Sequence, residues 1–236
     1  LKTLFTFMNR IIFPALLALA ACQAQSIRPP SSIKQSSNKT VDISSKSTVA
    51  EKFLISANGI GKARLGMTLK ELKQIVEPNT KFELVSSFLV DVNAIAVTQD
   101  GLVQYYLLYP AGSTSHPDGS TPTDNDPITI LVTDNQNYQT EQGVKVGTSI
   151  SQAEDIYGDA ILAYNVEGES REYITFGSQN PPNIRFRASY FKLISDGLGF
   201  SGIYPEYPGV SYTTDKYQEG AAIAAIEVAC DSDNCL

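Results

Sequence analysis

Apolar positions fall at helical spacing twice in this chain, and elsewhere they mostly form short β-rich runs. The first helical stretch places Leu69, Leu72, Ile75 and Val76 on one face, and the second places Ile150, Ala153, Ile156 and Tyr157 there. Each is introduced by nearly the same phrase, "LGMTLKEL" from Leu65 and "VGTSISQA" from Val146, 81 positions apart. Thr68 with Glu71 spells T-x-x-E and Ser149 with Gln152 spells S-x-x-Q, so both phrases predict a capping box at the first turn of a helix. Gly66 and Gly147 permit the bend entering each helix, while Pro78 and Gly158 supply the stops.

Strand-type segments follow each helix. After the first come "KFELVSSFLV", "NAIAVTQDG", "LVQYYLLYP" and "ITILVT", with Asp100-Gly101 as a hairpin turn. After the second come "AILAYNV", "REYITFG", "NIRFRASYFKLI" and "AAIAAIEVAC", with a turn at Glu167-Gly168. The pattern predicts an α+β fold built from two tandem helix-plus-antiparallel-sheet modules, residues 51–135 and 136–236. Each helix is expected on one face of its sheet, and the two sheets are able to join into one. The 186 residues from Glu51 onward are ample for a core.

The first 50 residues read differently. Lys2 and Arg10 precede a short apolar run, "IIFPALLALAAC", about half the ~20 residues that span a bilayer. A basic start, a short apolar middle and a small-residue exit predict a secretory signal peptide over residues 1–21. The exit, Leu19-Ala20-Ala21-Cys22, resembles the lipobox of bacterial lipoproteins. That resemblance implies cleavage before Cys22 and a diacylglycerol on its thiol. Gln23 stands where Asp tends to retain lipoproteins at the inner membrane, so it implies the outer membrane, facing the periplasm. From Gln23 to Ala50 the composition is rich in Ser, Lys, Asn and Pro without period, so residues 22–50 read as a lipidated cysteine and flexible tether. Its 28 residues would span about 30 Å as a root-mean-square distance.

Charge narrows the partners. Removing residues 1–21 leaves 16 basic and 25 acidic residues, a formal charge of −9. No run of Lys and Arg offsets this, so nucleic-acid binding is disfavoured. Membrane attachment is expected from lipid alone. Cys230 and Cys235 stand together in "CDSDNC", and outside the cytoplasm that pair predicts a structural disulfide contributing about 2 kcal/mol.

Candidate chemistry is sparse. His116, the single histidine, sits in a loop of turn formers that also holds Asp118, Asp124 and Asp126. That loop lacks a calcium-loop pattern, and no G-x-S-x-G elbow, phosphate loop or dinucleotide fingerprint occurs. Ser31 to Lys34, Ser36 to Lys39 and Ser232-Asp233-Asn234 imitate two penicillin-binding motifs, but the first pair lies in the tether and K-T-G is missing. Glu167, Glu169, Arg171 and Glu172 straddle a predicted turn and read as a solvated cluster. The segment "FSGIYPEYPGVSYTTDKY" spaces Tyr204, Tyr207, Tyr212 and Tyr217 among prolines and glycine. It is either a recognition surface or a loop pinned by its own rings. No catalytic residue, metal site or cofactor is assigned.

The doubled G-x-[TS]-[LI]-x-x-[LA] phrase before a short helix, followed by antiparallel strands, resembles the plan of SmpA/OmlA lipoproteins and of the β-lactamase inhibitor protein. Residues from Tyr138 to Gly158 are also similar to text in cyanobacterial lipoproteins of uncharacterised role. The expected function is a lipid-anchored, non-catalytic adaptor or binding module for another envelope protein. The alternative is a periplasmic enzyme or inhibitor acting on cell-wall material.

Overall fold

In the computed structural model, residues 50–89, 92–110, 122–168, 171–177, 179–188, 199–206 and 209–230 are described. A 3₁₀ turn, Glu51–Phe53, leads into β1 (Leu54–Ser56), β2 (Gly59–Ile60) and β3 (Ala63–Arg64). Helix α1 (Leu69–Ile75) follows, then β4 (Lys81–Leu89), β5 (Val92–Gln99), β6 (Leu102–Pro110), β7 (Ile130–Thr133) and β8 (Gln139–Thr140). Helix α2 (Ile150–Tyr157) precedes β9 (Ala160–Asn165), β10 (Glu172–Phe176), β11 (Ile184–Arg187), β12 (Ser211–Thr214) and β13 (Ala225–Ala229).

Both helices begin as their caps require. The Thr68 hydroxyl accepts from the Glu71 amide at 3.2 Å, and the Glu71 carboxylate accepts from the Thr68 amide at 2.8 Å. Ser149 and Gln152 repeat this, with the Gln152 amide donating to the Ser149 hydroxyl at 3.2 Å and the Ser149 amide donating to Gln152 Oε1 at 3.3 Å. Gly66 and Gly147 both take the left-handed conformation, at φ 80° and 89°. The Thr68 partners hold the Glu71 carboxyl below its ordinary range, backbone amide first and hydroxyl second.

What surrounds the helices corrects the expected architecture. The fold is mostly β, not two tandem helix-plus-antiparallel-sheet modules. Nine strands form one antiparallel sheet in the order β12-β9-β10-β11-β13-β7-β6-β5-β4. The physical reason is at the seam. A sheet made only of β4 to β7 would end on β7, leaving its outer N–H and C=O groups unpaired. Instead β13 lies between β7 and β11, with Ile226 opposite Thr133 and Ile226 opposite Phe186. Strands from both sides of position 135 therefore share one ladder, and residues Lys46–Leu236 form one compact unit. A second, four-stranded sheet has the order β3-β2-β1-β8, in which β1 and β8 run parallel.

The two faces of the large sheet are both buried over β5 and β6. Ile95, Val97, Tyr105, Leu107 and Tyr109 join the main core with Leu69 and Leu72 of α1, Ile150, Ala153 and Tyr157 of α2, and Ile55 and Ile60 of the small sheet. Ala94, Ala96, Tyr106 and Leu108 point the other way, into a second cluster with Phe88, Val132 and Ala225. Burial on both faces explains why these strands read as continuous apolar runs and not as alternation. The predicted two-residue hairpin is present, with Gln99 opposite Leu102 and both Asp100 and Gly101 at positive φ. Among the described residues no helix is long and apolar enough to cross a membrane.

Candidate functional site

A cavity of about 490 Å³ lies where four short segments meet the β5–β6 hairpin. The sequence builds each wall locally. Helix α1 stops before Pro78, and the chain from Val76 to Thr80 turns back with the Thr80 amide on the Glu77 carbonyl at 2.9 Å. Asn137 and Tyr138 line another side, and Asn135 holds them in place from behind. Its side-chain oxygen accepts from the Asn137 amide at 3.0 Å, its side-chain amide donates to the Val103 carbonyl at 2.9 Å, and its carbonyl accepts from the Tyr138 amide at 3.2 Å. These bonds fix Tyr138 against β6.

Three rings line this space. Phe53 and Tyr105 stand at 82° and 86° to Tyr138, with centroids 5.6 and 6.1 Å away. Tyr105 and Tyr138 are 3% and 4% exposed, so the rings are anchored in the core. Burial raises the Tyr138 hydroxyl to about 12 and pushes Tyr105 higher still. Gly61, at φ 55°, lets the β2–β3 turn approach closely, because a Cβ there would lie 2.8 Å from the Lys52 carbonyl and 3.1 Å from the Tyr138 ring.

The polar lining consists of Asn79, Gln99, Gln104 and Asn137 with Thr80, and of four charges, Lys52, Lys62, Glu77 and Asp100. Each charge has a neighbour within the lining or beside it. Lys62 donates to the Glu77 carboxylate at 3.0 Å and to the Ile75 carbonyl at 2.8 Å. Asn79 donates to Asp100, and the Lys52 ammonium sits 4.8 Å from the Phe53 centroid. The Tyr138 hydroxyl donates to Gln104 Oε1 at 3.2 Å. Among the described residues no group of three or more His, Cys, Asp and Glu is placed to hold a metal ion.

The tyrosine segment is organised differently. The Tyr204 hydroxyl donates to Glu172 at 2.8 Å, and the Tyr217 hydroxyl donates to Glu154 of α2 at 2.6 Å. Tyr212 stacks on Tyr164 at 4.8 Å, and Phe200 stacks on the same ring at 4.1 Å. The Tyr212 hydroxyl donates back to the Gly209 carbonyl. Tyr207 lies outside the described residues. Part of this segment is strand, since β12 pairs with β9 through Tyr212 opposite Tyr164.

Glu172 corrects the reading of a solvated charge cluster. It is 1% exposed and opens β10, where its carboxylate accepts from the amides of Ser201 and Gly202 at 2.9 and 2.7 Å as well as from Tyr204. A second buried acid, Glu227, receives Arg185 at 3.2 Å and Arg187, whose guanidinium lies 5.2 Å from the Tyr173 ring. The sequence reading names Glu172 but not its burial, and passes over Glu227, although an acid inside "AAIAAIEVAC" is a usable sign of a buried partner. Asp124 pairs with Lys73, and the Asp126 carboxylate accepts from the Thr123 amide. Cys22, Cys235, His116, Asp118 and Glu169 lie outside the described residues, and Cys230 directly follows β13.

No protein-family model and no curated protein matches the chain. Among solved structures it is similar to the crystal structure of the uncharacterised protein yfeY from Escherichia coli. The two are 14% identical, with a TM-score of 0.42 over 75% of this chain and 99% of that one. This likeness assigns no activity.

Proposed function

We propose that this chain is a lipid-anchored envelope protein that binds a partner and performs no chemistry on it. Cys22 carries the lipid, residues 23–50 form the tether, and the β-rich body is held at the outer membrane, facing the periplasm. The body then serves as an adaptor for another envelope protein. In the same reading Cys230 and Cys235 close a disulfide beside the central strand.

The observation that carries this reading is how the body's acids are used. The four charges lining the cavity are matched by neighbours, and the buried carboxylates of Glu172 and Glu227 are engaged by backbone amides, a phenol and guanidinium groups. A general acid or base needs a carboxyl that can exchange its proton with a substrate. A binding module needs only a shaped surface with fixed donors and acceptors.

The test is crosslinking in native membranes followed by recovery of the lipidated chain. The expected result is a stoichiometric envelope protein, together with release of the Cys22→Ala variant from the membrane fraction. Recovery of the chain alone, or a Cys22→Ala variant that stays with the membrane, overturns the reading.

A further inference from the structure

We infer that the first half of β4, residues 81–85, is a self-association edge, on which a second copy of this chain lays its own β4 antiparallel about a two-fold axis at Phe82. This goes beyond the adaptor reading and rests on the sheet edge alone.

The two ends of the nine-stranded sheet are finished differently. At the β12 end the residues that continue the strand are paired with another stretch of the chain. The Ile203 amide donates to the Lys216 carbonyl at 2.8 Å, the Gln218 amide donates to the Ser201 carbonyl at 2.8 Å, and Gly202 bridges Tyr217. At the other end β4 pairs with β5 alone among the described residues. A strand so placed presents a row of backbone N–H and C=O groups to any strand that lies beside it.

The halves of β4 are not equivalent. Pairing with β5 is regular from Lys81 opposite Thr98 to Val85 opposite Ala94, and its register shifts before Leu89. An irregular stretch resists strand addition, whereas a regular one is a template for it. Residues 81–85 are therefore the open template.

Side chains choose the occupant. Lys81 and Glu83 are exposed, lie on one face of the sheet, and stand opposite the uncharged Thr98 and Ala96 of β5. Among the described residues neither makes an ion pair or a side-chain hydrogen bond. Edge charges of one sign would repel a second copy, but these two are opposite. In an antiparallel pair centred on Phe82, Lys81 of each copy lies opposite Glu83 of the other, and both ion pairs form. Centring on Lys81 or on Glu83 would set like charges face to face. Centring on Leu84 would leave both charges opposite uncharged residues. On the other face of the Phe82 register, Leu84, 50% exposed in the single chain, lies across from Thr80 of the second copy and is covered. A strand that complements itself about one residue specifies its own copy, and such two-fold contacts are the commonest in homo-oligomers.

The experiment is sedimentation equilibrium of the full chain, in a detergent matched in density to the buffer, over about 1–300 μM protein. A monomer–dimer equilibrium is expected, with a Kd of about 30 μM. Lys81→Glu and Glu83→Lys each place two like-charge pairs in the contact, so each should weaken the dimer at least about tenfold. The double variant restores both pairs with their signs exchanged and should return to within about twofold of the parent Kd. An equimolar mixture of the two single variants should also dimerise, because every charge then meets its opposite. Both positions are exposed, so all variants should keep the parent melting temperature. A chain that stays monomeric over the whole range overturns the inference. So does a dimer indifferent to the single reversals, or a pair of single variants that fails to associate on mixing. A dimer of this chain is no substitute for the stoichiometric envelope protein expected from membrane crosslinking, so the adaptor reading stands or falls separately.

Discussion

Two tyrosine-bearing regions of this protein use the same side chain in opposite ways. Tyr204, Tyr212 and Tyr217 are half-buried and engage the protein itself: Tyr204 caps a buried carboxylate, Tyr217 ties its segment to α2, and Tyr212 covers Tyr164. Around the cavity, Tyr105 and Tyr138 are anchored just as firmly, yet they line an open volume together with Phe53. A tyrosine-rich stretch thus says little about recognition until the partner of each hydroxyl and each ring face is known. In the first region tyrosine closes a loop onto the sheet. In the second it shapes a space that the protein does not fill.

The largest test of this contrast is Glu172→Ala. It strands the Tyr204 hydroxyl and the Ser201 and Gly202 amides, so unfolding free energy should fall by about 3 kcal/mol, measured by urea denaturation. A loss below 1 kcal/mol would mean that the segment is not pinned by this carboxylate. Tyr217→Phe should cost about 1.5 kcal/mol, because a hydrogen bond to a charged acceptor is lost. Its pH dependence sharpens the point. The hydrogen bond to Glu154, followed by burial, raises the Tyr217 hydroxyl above its ordinary value of 10.0. A raised value means that the folded state holds its proton longer than the unfolded chain does. The stabilisation is therefore complete below pH 10 and is lost as pH rises through the folded value. The difference between parent and Tyr217→Phe should shrink in that alkaline window and stay constant from neutrality up to it. The smallest effect belongs to the caps, where Thr68→Ala and Ser149→Ala should each destabilise by about 1 kcal/mol. Unchanged urea midpoints in both would deny these residues their role at the helix starts.

Local signals were legible in the sequence because local physics decides them. The glycine bends, the two capping boxes and the Asp100-Gly101 turn each involve residues within a few positions of one another, and all occur as predicted. Eight of the strand segments were also readable from their β-rich composition. What failed was the grouping. The two phrases suggested two bodies, but strand partners depend on which edges can pair, and the pairing of β13 with both β7 and β11 leaves no mark on local pattern. The small sheet was missed because its strands are only two or three residues long. Strand β12 was hidden in a segment read as loop from its Pro and Gly content. The cavity was invisible for a related reason. Its walls come from positions as far apart as Lys52 and Tyr138, and none of the contributing stretches is unusual by itself.

The position of β13 has a consequence for how the body is made. Residues 130–133 cannot complete their pairing until residues 225–229 have been synthesised, almost a hundred positions later. A growing chain therefore leaves one hydrogen-bonding edge of β7 without its partner strand until β13 has been made, and closing so long a loop makes that step slow. Such a chain waits for its own tail, and whatever shields that edge in the meantime governs how much of it reaches the finished state.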